Sequence, residues 1–196
     1  AARDEGSWGE FLEYFLDSDY YTVRNYAQGG RSSRTFIDGT KDDGSDRYLD
    51  MIKDEMMAGD YLFIQFGHND SSASYADRYV PVGEPDENGI FPYTAPSAEG
   101  AGDGSFKWYL QEMVDAAKEA GATPVMVTPV SRMYFNDDGT IYSHHGNNDE
   151  YVTATKQVAE ENGIQCIDLY AYTKDLYELS LIHISEPTRH EAISYA

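Results

Sequence analysis

The chain has 196 residues, 41% of them hydrophobic, enough to bury one sizeable core in a single domain. Asp and Glu number 35 against 14 Lys and Arg, and the resulting formal net charge of -21 repels phosphate backbones and anionic lipid surfaces. Nucleic-acid and membrane partners are therefore set aside: no apolar run reaches spanning length, and Ala1-Ala2-Arg3-Asp4 lacks the basic-then-apolar order of a signal peptide.

The first element is an amphipathic helix over residues 8 to about 17, from the three-and-four spacing of Trp8, Phe11, Leu12, Phe15 and Leu16. Residues 21–27 are β-prone and end at Gln28-Gly29-Gly30, which predicts a strand followed by a turn. Ser32 and Ser33 can cap a short helix toward Ile37, and Tyr48, Leu49, Ile52 and Met56 form the stripe of another that stops near Gly59. Residues 61–66 are almost continuously apolar, the pattern of a parallel strand covered by helices on both faces.

From Ser71 to Gly104 the chain is rich in Gly, Pro, Ser and acids, too long for a plain connection. An irregular insertion over a site is expected there, with Tyr75, Tyr79, Phe91 and Tyr93 as candidates to stack on sugar rings or as ordinary surface rings. Phe106, Leu110, Met113, Val114 and Ala117 then mark a helix, Thr123 to Thr128 a strand, and residues 129–147 a polar loop. A helix with Tyr151, Val152, Thr155, Val158 and Ala159 inward follows, then a strand over 164–167 containing the single cysteine, Cys166, expected as a buried inert thiol. A last helical turn runs to about Glu178. Repeated β-α units of this size read as an α/β fold, three-layered, with an open, mostly parallel sheet and helices on both faces, whose ligands sit beyond the carboxyl ends of the strands.

That rule directs attention to Gln28-Gly29-Gly30-Arg31-Ser32-Ser33-Arg34 after one predicted strand and Gly67-His68-Asn69-Asp70 after the next. Glycine lets the backbone approach a ligand closely, so the Gly30 N–H can point at a developing oxyanion, and Asn69 offers a second donor from another strand. Asp70 can hold Asn69 or His68 in place. Arg31 and Arg34 beside a helix start can take an anion, or pair with the acidic surface. His144 and His145 are adjacent and point apart in extended chain, so they do not make a metal site.

These two blocks, with Thr128-Pro129-Val130-Ser131-Arg132, Asp138-Gly139, His145-Gly146 and Ile167-Asp168-Leu169, resemble the SGNH/GDSL hydrolases over residues 6–178, the rhamnogalacturonan acetylesterase branch above all. The resemblance implies that Gly30 and Asn69 are oxyanion-hole donors; Arg31, His68, Asp70, Arg132 and His145 are the candidates to face substrate, the alternatives being a packed spacer for His68 and a solvated loop histidine for His145. It implies no metal and no cofactor, an acetylated polysaccharide or oligosaccharide as partner, a monomer, and an extracellular or cell-surface location on a bacterium. The family's nucleophilic Gly-Asp-Ser and its Asp-x-x-His occur nowhere in these 196 residues, so the expectation is a fragment without the first strand that is inactive alone. The alternative from another class is a non-catalytic carbohydrate- or anion-binding module. Residues 179–196 resemble translated sequencing-adapter tails, so the domain is expected to span 1–178 with a non-native or disordered tail.

Overall fold

The computed structural model describes residues 8–41, 43–98, 103–142 and 149–185. Its centre is a parallel sheet of β1 (Tyr61–Ile64), β2 (Thr123–Val127) and β3 (Gln165–Ile167) in that spatial order. Ile64 pairs with Met126 and Met126 with Cys166, so the three strands end almost level and the segments leaving β1 and β2 emerge side by side. Parallel neighbours require crossover helices. Between β1 and β2 the crossover is α4 (Phe106–Glu119), and between β2 and β3 it is α5 (Glu150–Asn162).

The two crossovers pack on each other and on the sheet through residues anticipated from their periodicity. Leu110, Val114 and Ala117 of α4 and Val158 of α5 have no accessible surface, and the rings of Phe106 and Tyr151 meet edge to face at 5.0 Å. Lys107 also points into this seam with no exposure. Its Nζ donates to Glu161 Oε1 at 2.8 Å and lies 4.2 Å from the centroid of the Tyr93 ring.

Ahead of the sheet come α1 (Trp8–Phe11), a 3-10 turn (Leu12–Phe15), α2 (Ser33–Ile37) and α3 (Tyr48–Glu55). A reciprocal cap starts α2: Thr35 N donates to Ser32 Oγ at 3.3 Å, and Ser32 N donates to Thr35 Oγ1 at 2.8 Å. Downstream of β3, α6 runs from Leu169 to Ser185 and passes position 178 without a break. No helix among the described residues is long and apolar enough to cross a membrane.

Several expectations are corrected. Residues 21–27 form no strand; a strand is a partnership, and this extended run has no ladder partner among the described residues. The helix expected over 8–17 is one α-turn plus a 3-10 turn, and Phe15 at its end is 83% exposed because none of the described residues covers it. Only one face of β1 is well covered: Ile64 is 2% exposed, but Tyr61 and Phe63 on the other face are 60% and 40% exposed. The 71–104 insertion has no helix or strand among its described residues, yet Val80, Val82 and Phe91 are core residues. Phe91 is thereby removed from the candidate sugar-stacking rings. Cys166 is half-buried, and that burial raises its thiol pKa.

The Lys107 seam yields a test. Glu161→Ala leaves an ammonium buried without its carboxylate and should lower unfolding free energy by about 1–3 kcal/mol, whereas Lys107→Met removes the charge itself and should cost less. Urea unfolding of the two variants decides it, and equal losses would contradict the account.

Candidate active site

The two sequence blocks singled out above meet at the carboxyl end of β1. After Ile64 the chain runs through Gln65 and Phe66 to Gly67, whose φ of +135 belongs to glycine alone. A Cβ there would come within 3.0 Å of the Pro129 ring. The turn that follows is held by Asp70, which has no accessible surface. Its Oδ2 accepts from Gly67 N at 3.0 Å, closing its own turn. Oδ1 reaches across to the start of α2 and accepts from Ser33 N at 2.8 Å and Ser33 Oγ at 2.6 Å.

One carboxylate thus fastens the Gly67–Asp70 turn to the Gly29-Gly30 loop. Asn69 completes the junction: its Nδ2 donates to the Arg31 carbonyl at 2.9 Å, leaving the second amide proton available. Gly30, at φ +80, is exposed, and its N–H has no partner among the described residues. The loop carrying Gly30 and the turn carrying Asn69 are thus joined through Arg31, although Gly30 itself is not among the residues lining the cleft. The cleft beside them, about 180 Å³, is lined by Gln28, Arg31, Gln65, Phe66, His68 and Asn69, among others.

Other candidates from the sequence fare differently. Asp70 does not face substrate, because its burial and its three donors direct it inward. Arg31 lines the cleft, but its guanidinium is committed: Nη2 donates to Asp46 Oδ2 at 2.7 Å and Nη1 to Thr40 Oγ1 at 2.6 Å. Hydrogen bonds from Thr40 hold the Asp46 carboxyl well below the usual carboxylate range, with Arg31 adding to the effect. Arg34 Nη2 donates to the Ala76 carbonyl at 2.9 Å and pins the insertion to α2. His68 is half-buried and lines the cleft. Arg132 is half-buried after β2 and is not among the cleft-lining residues, while His145 lies outside the described residues. Asp168 is paired with Lys156 at 2.6 Å, a structural role.

Sequence reasoning missed two residues at this site. Gln65 bridges inward, accepting from Trp8 Nε1 at 2.7 Å and donating to the Thr128 carbonyl at 2.9 Å. Arg78, from the insertion, brings Nη1 to 3.5 Å from Asn69 Oδ1. No spacing signal marks either one, since both act through contacts distant in sequence.

Comparison with known proteins shows the family. The model of the GDSL-like Lipase/Acylhydrolase family matches residues 1–186. The chain belongs to that family. It is 33% identical over 168 residues to the probable rhamnogalacturonan acetylesterase YesY of Bacillus subtilis, covering 86% of this chain and 63% of that protein. To rhamnogalacturonan acetylesterase RhgT of the same organism it is 35% identical over 171 residues, covering 87% of this chain and 59% of RhgT. The chain thus spans about three fifths of the length of these relatives. The crystal structure of Bacillus subtilis YxiM superposes with a TM-score of 0.63 at 24% identity, covering 88% of this chain and 40% of YxiM, and shares the fold.

Burial raises the Asp70 pKa to about 6, against the lowering pull of its Ser33 and Gly67 donors. The unfolded value is near ~3.9, so the folded state holds this proton more tightly. Asp70's contribution to stability is then fully present below about pH 4 and is lost as pH rises through about 6. A carboxyl-carbon NMR titration should place the Asp70 midpoint near 6, and Ser33→Ala should move it higher still by removing a donor to the carboxylate. A midpoint in the ordinary range near ~4 would refute the burial argument.

Proposed function

We propose that this chain carries the oxyanion side of the active site of a carbohydrate esterase that deacetylates plant cell-wall polysaccharide, with pectic rhamnogalacturonan the first substrate class and xylan the second. The observation that carries this reading is the 2.9 Å hydrogen bond from Asn69 Nδ2 to the Arg31 carbonyl, which joins the Asn69 amide to the residue after Gly30. Hydrolysis through a tetrahedral intermediate needs donors fixed in place before charge develops on the carbonyl oxygen. The Gly30 N–H and the remaining Asn69 amide proton meet that requirement without reorganisation.

The cleft is smaller than the roughly 300–1,000 Å³ of sites for drug-sized ligands, which favours a short acyl group. The names of the two Bacillus subtilis relatives supply the polysaccharide class. Since that polymer is met outside the cell, the proposed location is extracellular or at the cell surface, and the proposed state is monomeric.

Neither Gly-Asp-Ser nor Asp-x-x-His occurs in these 196 residues. Triad members act as a unit, so the proposal includes inactivity of this chain alone.

The chain alone should release no acetate from acetylated rhamnogalacturonan above the buffer control. A chimera joining residues 1–178 to the Gly-Asp-Ser and Asp-x-x-His segments of RhgT should release it, and Asn69→Ala in that chimera should lower kcat by about 10²–10³-fold. A folded chimera that releases no acetate, or is indifferent to Asn69→Ala, would overturn the proposal.

A further inference from the structure

Gln65 is the first residue after β1, and strand alternation puts it on the same face as Tyr61 and Phe63. Trp8 meets that face at the end nearest the cleft. Its ring lies edge to face on Phe63, with centroids 6.1 Å apart, and its Nε1 donates to Gln65 Oε1 at 2.7 Å. These contacts carry unusual weight, because no residue of α1 or of the 3-10 turn is buried. Where apolar burial does not locate a segment, its discrete contacts do.

The other half of the amide is equally committed. Gln65 Nε2 donates to the Thr128 carbonyl at 2.9 Å. Thr128 is itself fixed and has no exposure: its N donates to the Ile167 carbonyl at 3.0 Å, and its Oγ1 accepts from Tyr170 N at 2.8 Å. An indole N–H only donates and a carbonyl only accepts, so a single orientation of the Gln65 amide satisfies both partners. Gln65 therefore ties α1 to the carboxyl ends of β2 and β3, and it does so while lining the same cleft as His68 and Asn69.

We infer that Gln65 is a positioning residue: through Trp8 it sets where the chain leading into α1 stands relative to Asn69. The inference rests on the esterase reading, in which a Gly-Asp-Ser segment joined ahead of residue 1 has to meet the oxyanion donors. Gln65 contributes no atom to the reaction; it fixes the distance over which the two groups meet.

Two measurements test the role. In the 15N-labelled chain the Trp8 indole N–H should exchange with solvent about 10-fold more slowly than in Gln65→Met, which keeps the side-chain length without donor or acceptor, the difference one hydrogen bond makes. In the chimera, Gln65→Met should lower kcat by about 10²-fold with KM and melting temperature unchanged, the scale of a displaced reacting group. Trp8→Phe should lower kcat by the same factor, and the double variant should fall no further than either single one. Equal indole exchange in chain and variant, a wild-type kcat, a change confined to KM, a kcat loss that follows the melting temperature, or losses that multiply in the double variant would each overturn the role of Gln65. Failure of the esterase reading shows instead as a chimera that releases no acetate, and the exchange rates then decide the tether by themselves.

Discussion

The buried carboxylate of Asp70 is the constraint on which the site depends. Its two oxygens serve different masters: one closes the turn after β1, and the other holds the first residue of α2 from 37 positions away in sequence. Breaking either side would let the Gly30 loop and the Asn69 turn drift independently, and two donors that drift cannot present a preorganised pair. The carboxylate makes no contact with solvent, so its role is architectural although it lies within the most distinctive motif of the chain.

The insertion is bound into the same joint. Val80 N donates to the Asp70 carbonyl at 3.0 Å, and Tyr151 Oη on α5 donates to the Val80 carbonyl at 2.6 Å. Through these bonds the loop that carries Arg78 is referenced to the turn that carries Asn69. An irregular segment of this length would ordinarily be loose. Here Val80, Val82 and Phe91 anchor it as a third wall of the core.

Much of this was legible in the sequence, and the reason differs by element. The crossover helices declared themselves because their inward residues recur at helical spacing, and the apolar run of β2 because its core is buried. The strand expected at 21–27 failed because β-propensity describes a fit to a partner, which the propensity of one segment cannot supply. Gly30 and Asn69 were found through motif order at strand ends. Asp70 was read both as a substrate contact and as a holder of Asn69 or His68; its carboxylate holds Gly67 and Ser33 instead, partners that only the folded chain reveals. Arg31, a candidate for an anion, is instead committed to Asp46 and Thr40, pairings that are invisible in a linear pattern.

The arginines at the loop junction sit within a chain whose formal charge is -21. Far from the molecule an acidic polymer meets net repulsion, while at the junction it meets guanidinium, so the long-range and contact terms have opposite signs. Salt screens the distant term first, because its charges lie beyond a Debye length of about 8–10 Å, and weakens the contact more slowly. Repulsion of an anionic chain thus weakens as ionic strength rises, where a basic surface would lose attraction instead.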